Sequence, residues 1–139
     1  MTLNPHLSFN GQCEAAFKFY EQCLGAKIRF MMTWGDSPMK EQSPPGWQDK
    51  IMHATLGLND TNIAGSDPPP EHYEQPKGFS LLLNLSDPQE AERIFNALAE
   101  GGTVQMPIQQ TFWALRFGAV VDRFGIPWGI NCGERQAHE

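Results

Sequence analysis

Two similar segments, "CEAAFKFYEQCLGAKI" at residues 13–28 and "QEAERIFNALAEGGTV" at residues 89–104, decide the fold of this chain. Apolar side chains recur every three or four residues in both, which is the pattern of an amphipathic helix. A glycine follows each apolar run, as is common where helices end. The pattern predicts helices at residues 13–24 and 87–100. At an offset of 76 residues the segments share four identities, Glu14/Glu90, Ala15/Ala91, Phe19/Phe95 and Gly25/Gly101, which indicates a duplication.

Strand-like segments surround both predicted helices. "LNPHLSF" precedes the first helix and "GFSLLLNL" precedes the second, and three more alternating segments follow each helix. Alternation with a period of two is typical of half-buried strands. The order β, α, β, β, β therefore occurs twice. It predicts an α+β fold with two βαβββ modules, at about 1–66 and about 78–133, within a single domain of residues 1–139.

Two segments in the first half are predicted to be loops, because proline and charged residues are frequent in both. They are residues 35–49, "GDSPMKEQSPPGWQD", and residues 67–77, "DPPPEHYEQPK". Loops of this length often serve as lids or binding edges. The alternative, that they are plain surface loops, stays open.

The last predicted strand carries large side chains on one face and almost no side chains on the other. In "DRFGIPWGI", residues 122–130, a turn around Gly125 leads into a strand that places Ile126, Trp128 and Ile130 on one side. Gly129 lies on the opposite side with Pro127. That emptied side either packs against backbone or lines a hollow.

Composition excludes several classes of partner. The chain has 10 basic and 16 acidic residues, a net charge of −6, and no cluster of basic residues that would bind nucleic acid. The sequence contains no run of about 18 apolar residues, the length that would predict a membrane span. The N-terminus lacks the pattern of a signal peptide. The three cysteines lack metal-site spacing, so they are expected to be buried thiols in a cytoplasmic protein.

The segments quoted above, together with "TFWALRFGAVVDRFGIPWGINC" at residues 111–132, resemble the PhnB-like branch of the vicinal oxygen chelate superfamily. Glyoxalase I, extradiol dioxygenases and bleomycin resistance proteins belong to that superfamily. The resemblance covers nearly the whole chain. It implies paired βαβββ modules whose mixed sheets form a half-open cup, usually in a homodimer.

The resemblance also bears on metal binding. Metal-dependent members hold a divalent ion with side chains of the first, fifth and eighth strands. Those positions fall near Asn4, near Ser80 and on Gly129, and none of the three carries a strong metal ligand. His6 and His53 are the alternative ligands because strand parity directs both toward the cup. Two imidazoles without a carboxylate are an incomplete set, so no cofactor is expected.

Aromatic and polar residues along the predicted strands are candidates for a small-molecule site, because such sites combine apolar walls with a few polar groups. Arg116 suits an anionic ligand, since guanidinium pairs with carboxylate through two hydrogen bonds. An ion pair of Arg116 with Asp67 or Asp122 is the structural alternative. The candidates are His6, His53, Trp34, Ser80, Asn84, Gln109, Trp113 and Arg116.

Three functions remain open from the sequence. The first is a metal-free protein that binds or sequesters a small molecule in the cup. The second is an enzyme that uses His6 and His53, either with a metal or by acid–base catalysis, and the third is a dimeric interaction module. No G-x-S-x-G motif supports a nucleophilic serine, although a serine and a histidine could still meet in space.

Sequences of this branch often carry a demethylubiquinone methyltransferase label. Methyl transfer from S-adenosylmethionine normally relies on a glycine-rich turn between a strand and a helix of a parallel sheet. Gly101 and Gly102 instead follow a predicted helix. The sequence therefore disfavours that activity.

Overall fold

A computed structural model describes residues 1–134. The described chain divides into two compact units, Met1–Gln75 and a second unit that begins at Pro76. Each unit contains one four-stranded sheet and one long helix. Within residues 1–134, neither long helix has the length and apolar character needed to cross a bilayer.

The first unit contains helix α1 (Cys13–Leu24) and a sheet with the strand order β1-β4-β3-β2. Strand β1 runs parallel to β4, and the other neighbours are antiparallel. The connection from β2 to β3 holds a short 3₁₀ turn at Lys40–Gln42. The strands are β1 (His6–Ser8), β2 (Lys27–Thr33), β3 (Ile51–Leu58) and β4 (Thr61–Ser66).

The second unit repeats this topology with helix α2 (Pro88–Ala99) and the strand order β5-β8-β7-β6. Strand β5 is parallel to β8, and β8, β7 and β6 are antiparallel neighbours. The predicted α+β fold of two βαβββ modules is confirmed. The strands are β5 (Leu81–Leu85), β6 (Thr103–Gln109), β7 (Ala114–Val121) and β8 (Pro127–Glu134).

Local sequence signals set the ends of both helices. Gly25 follows α1 with φ 70°, a left-handed conformation that glycine adopts without steric cost. Asp87 caps α2, because its side chain accepts a hydrogen bond from the main-chain N–H of Gln89 at 3.0 Å. Helix α1 therefore matches its prediction, and α2 lies one residue inside the predicted range at each end.

Two predicted strands are shorter in the structure. The segment at residues 3–9 forms a strand only at His6–Ser8, because Pro5 has no N–H to donate to a sheet. The segment at residues 78–85 begins its strand at Leu81. Phe79 therefore precedes the strand, and it is 48% exposed.

Each sheet has one face that buries apolar side chains against its helix and one face on the opposite side, which we call the open face. Strand alternation and register decide which side chains share a face. The first open face carries His6, Ser8, Phe30, Met32, His53, Thr55, Ala64 and Ser66. The second open face carries Leu82, Asn84, Met106, Gln109, Phe117, Ala119, Gly129 and Asn131.

The buried carboxylate of Asp122 organises the turn that leads into β8. Its Oδ1 accepts hydrogen bonds from the main-chain N–H groups of Phe124 at 2.8 Å and Ile126 at 3.0 Å. Its Oδ2 accepts one from the Trp128 indole at 2.8 Å. The indole can therefore be buried with its N–H satisfied. Trp128 is fixed on the helix side of the sheet, which places Gly129 on the open face.

Asp67 joins three parts of the first unit. Its carboxylate accepts from the main-chain N–H groups of Cys13 at 3.0 Å and Ile51 at 2.9 Å. Its main-chain oxygen accepts from the indoles of Trp34 at 2.9 Å and Trp47 at 3.3 Å. Burial raises the pKa of the Asp67 carboxyl, although the amide hydrogen bonds act in the opposite direction. This residue connects α1, β3 and the 35–49 loop.

Replacement of Asp122 by asparagine should destabilise the protein by roughly 1.5–3 kcal/mol, because an amide nitrogen would face buried N–H donors. The free energy of unfolding, measured by urea denaturation, checks this. Asp60→Asn, in the exposed turn between β3 and β4, is the control and should change stability by less than about 0.5 kcal/mol. Equal stability of the two variants would show that the Asp122 hydrogen bonds do not hold the turn.

Candidate functional site

The smallest residues of the second open face lie in its middle. Parallel pairing places Leu82 beside Gly129, and Ala119 and Met106 continue the same row across β7 and β6. Gly129 has no side chain and Ala119 has only a methyl group, so the centre of the row is low. Leu82 and Met106 stand at its ends and are 53% and 38% exposed. We call the low centre between Leu82 and Met106 the hollow. Gly129 itself is buried, and the end of Leu82 lies 2.9 Å from where a Cβ atom on Gly129 would be. Leu82 therefore covers part of the empty side of Gly129.

The neighbouring row of the second open face carries polar groups. Asn84, Asn131, Phe117 and Gln109 follow one another across the four strands. The Asn131 side-chain N–H donates to Asn84 Oδ1 at 3.2 Å. Asn131 Oδ1 is buried, and no residue within 1–134 donates a hydrogen bond to it. The row therefore contains an acceptor that a ligand could satisfy.

Aromatic rings lie beside the polar row. The ring centroids of Phe112 and Trp113 are 4.8 Å apart, and those of Trp113 and Phe117 are 5.4 Å apart, both in edge-to-face contact. Phe112 is 83% exposed and Trp113 is 41% exposed. Exposed aromatic rings next to amide groups provide both apolar walls and hydrogen bonds for a small molecule.

The positions that the family resemblance assigns to metal ligands do not fit a metal centre. A Cβ atom built on Gly129 would lie 2.9 Å from Leu82 Cδ1 and 3.9 Å from Ser80 Oγ. The second unit thus presents a hydroxyl and an empty position there, and Asn4 at the other assigned position precedes β1. Within residues 1–134, no three His, Cys, Asp or Glu side chains converge.

The first open face brings the two candidate histidines together, as strand parity predicts. His6 Nε2 lies 3.4 Å from the Ser66 hydroxyl, and the ring centroids of His53 and Phe30 are 5.9 Å apart. Partial burial lowers the pKa of His6, and the nearby His53 charge lowers it further. These two imidazoles form a polar cluster, and they lack the carboxylate that would complete a metal-ligand set.

Two candidate residues are engaged within the fold. Arg116 pairs in register with Cys132 on the helix side of the second sheet, and its Nε donates to Glu92 Oε1 on α2 at 2.9 Å. The ion pair that the sequence predicted with Asp67 or Asp122 therefore forms with Glu92. The sequence indicated the wrong partner for Arg116 because the spacing of charges along the chain does not reveal contacts between a helix and a strand. Trp34 uses its indole N–H to bind the Asp67 main chain.

The sequence did not single out Asn131 and Phe117 as candidates. Asn131 was predictable, because it shares strand parity with Gly129. The contact of Ser66 with His6 was not predictable, because it depends on parallel pairing between strands that lie far apart in the sequence. Of the remaining candidates, Asn84 and Gln109 lie on the second open face, Trp113 lies beside it, and Ser80 lies near Gly129.

A separate cavity of about 370 Å³ lies in the first unit near the start of α1. Charged groups of both signs line it, including Glu14, Lys18, Asp49 and Lys50. Lys18 is paired with Glu14 at 2.6 Å, with both side chains about half exposed. None of the candidate residues from the sequence lines this cavity.

Comparisons with known proteins agree with the fold. Residues 1–131 match the family model described as 3-demethylubiquinone-9 3-methyltransferase. The chain is 49% identical to protein PA1353 from Pseudomonas aeruginosa, whose crystal structure aligns over 95% of this chain and 97% of that one with a TM-score of 0.87. It is 37% identical to Protein YjdN of Escherichia coli K12, over 98% of both chains.

A further structure, a putative 3-demethylubiquinone-9 3-methyltransferase described as PhnB protein from Bacillus cereus, is 23% identical. It aligns over 96% of this chain and 100% of that chain with a TM-score of 0.81. A possible glyoxalase from Bacillus cereus and a glyoxalase-related enzyme from Fulvimarina pelagi share the fold at 18% and 16% identity, each with a TM-score of 0.62. Together with the family match, these folds confirm the predicted resemblance to the PhnB-like branch of the vicinal oxygen chelate superfamily. The chain belongs to the 3-demethylubiquinone-9 3-methyltransferase family.

The pKa of the His6 imidazole should lie below its ordinary value of 6.5. NMR of the ring protons as a function of pH measures this pKa directly. His53→Gln should move the midpoint up toward 6.5, because it removes one of the two causes of the shift. The control His72→Gln, in the 67–77 loop, should leave it unchanged. A His6 pKa at or above 6.5 in the wild type would contradict the partial burial of His6 beside His53.

The same shift makes stability depend on pH. A lowered folded-state pKa means that the unfolded chain binds the His6 proton more readily. The contribution of His6 is therefore complete above pH 6.5 and is lost as the pH falls through the lowered pKa. The melting temperature of the wild type should drop relative to that of His6→Gln between pH 7.5 and pH 5.

Proposed function

We propose that the protein binds a small, neutral organic molecule on the second open face without using a metal ion. One observation carries this proposal: the small residues Gly129 and Ala119 lie directly beside the amide pair Asn84 and Asn131. Small residues in the centre of a sheet face leave room for a ligand. The adjacent side chains supply apolar contact and hydrogen bonds.

The side chains of this face favour a particular ligand chemistry. Neither row of the second open face contains a charged side chain, so a neutral ligand avoids the cost of burying an unpaired charge. A flat apolar portion would fill the hollow between Leu82 and Met106. A hydroxyl or N–H group on the ligand would donate to Asn131 Oδ1, the acceptor that lacks a partner within residues 1–134.

Methyl transfer is a different activity, and the family description names it. The proposal does not include it, because binding of S-adenosylmethionine normally uses a glycine-rich turn between a parallel strand and a helix. In the second unit, Gly101 and Gly102 lie between α2 and β6, after a helix. S-adenosylmethionine should therefore give no thermal stabilisation.

We also propose that the protein is a homodimer. Large apolar side chains are exposed in the second unit beyond those of the hollow, including Phe79, Val104 and Phe112. Exposed apolar side chains that form a contiguous patch mark protein–protein contact sites. A second copy of the chain is the partner that the family resemblance implies.

Native mass spectrometry of the purified protein should give twice the chain mass of 15.6 kDa. Phe112→Ser, which removes the most exposed of these rings, should shift the population toward the monomer because it deletes apolar contact area. Leu3→Ser is the control at an exposed apolar position in the first unit. A wild-type mass equal to one chain contradicts the dimer.

Thermal-shift screening with neutral aromatic and heteroaromatic compounds tests the binding proposal. A compound at 100 times its dissociation constant should add roughly 2.7 kcal/mol of stability. Gly129→Val should abolish the shift because its side chain fills the hollow, and the strand accepts valine readily. The nearest atom to the new Cβ would be the flexible end of Leu82, so the variant should fold.

Ala64→Val is the matched control for this screen. Ala64 pairs with His6 in the first unit, as Gly129 pairs with Leu82 in the second, and the control should keep the ligand-induced shift. A shift that survives Gly129→Val would place binding elsewhere. If no compound in the panel stabilises the wild type, the binding proposal fails.

A further inference from the structure

A serine and a histidine meet on the first open face. Ser66 is the last residue of β4, and the parallel pairing of β1 with β4 brings His6 into contact with it. The distance from His6 Nε2 to Ser66 Oγ is 3.4 Å. Bases and nucleophiles in free enzymes often lie slightly beyond ideal hydrogen-bond distance and approach each other when substrate binds.

The surroundings of His6 suit a general base. A neutral imidazole accepts a hydrogen bond through the ring nitrogen that carries no proton. Nε2 is the nitrogen that faces the Ser66 hydroxyl, so the tautomer with its proton on Nδ1 is the one that accepts the serine proton. Partial burial keeps the pKa of His6 low, so the ring is neutral at pH 7 and can accept a proton.

One further titratable group acts on His6 from the same open face. His53 on β3 contributes a second imidazole, close enough for its charge to act on His6. Its ring N–H is a donor of the kind that stabilises negative charge on an oxygen atom.

We propose that Ser66 is a nucleophile and His6 its general base, in a site that takes small activated esters. In the first step, Ser66 Oγ bonds to the carbonyl carbon and its proton moves to His6 Nε2. The carbon–oxygen bond to the leaving group then breaks, and the leaving oxygen takes that proton. Water attacks the resulting acyl-serine with His6 again as base, which releases a carboxylic acid and restores Ser66.

This site is independent of ligand binding on the second open face. The His6–Ser66 contact lies wholly within the first unit, and none of its residues belongs to the rows around Gly129. Compounds that stabilise the protein through the second open face should therefore still stabilise Ser66→Ala. Failure of one proposal leaves the other intact.

A fluorophosphonate reagent tests the proposal on the full chain, because it traps a nucleophilic serine as fluoride leaves. Intact mass and peptide mapping should show one adduct, located on Ser66. His6→Gln should slow labelling by about 100-fold or more, the range expected for loss of a general base. The wild-type labelling rate should rise with pH through a midpoint below 6.5, the ordinary histidine value.

Ser8→Ala provides the matched control. Ser8 pairs with Ser66 in register on the same open face, and its replacement should leave labelling unchanged. The melting temperature of every variant, including His53→Gln, is measured as well. It separates loss of chemistry from loss of folding. Absence of an adduct on the wild type overturns the proposal. So does an adduct on another serine, or equal labelling of Ser66 in folded His6→Gln.

Discussion

The buried carboxylate of Asp122 is the constraint on which the second module depends. It accepts hydrogen bonds from two turn amides and from the Trp128 indole, and so fixes which way β8 faces at its first residues. A slip of one residue would exchange the two faces of the strand. Trp128 would then meet solvent and Gly129 would meet α2. The hollow of the second open face exists because this register is held.

The two modules share one topology and have acquired different open faces. Corresponding register positions carry the pairs His6/Ala64 in the first sheet and Leu82/Gly129 in the second. Two residues further along each strand, Ser8/Ser66 corresponds to Asn84/Asn131. The first open face therefore presents imidazole and hydroxyl groups, and the second presents apolar side chains and amides. The two modules therefore present chemically distinct surfaces.

Much of the fold was predictable from the sequence, because it rests on local patterns. Apolar spacing located both helices, Gly25 and Asp87 marked helix ends, and strand parity singled out Gly129. Residues that meet across strands could not be found in this way. The contact between Ser66 and His6 depends on parallel pairing, and so does the pairing of Leu82 with Gly129. Arg116 pairs with α2 for a similar reason.

The most direct measurement is a crystal structure of the protein with the compound that gives the largest thermal shift. We expect electron density for the compound above Gly129 and Ala119, with one of its polar atoms within hydrogen-bond distance of Asn131 Oδ1. No metal ion should contact the compound. Density for the compound in the charged cavity beside Glu14 and Lys50, or bound through a metal ion at His6 and His53, would contradict it.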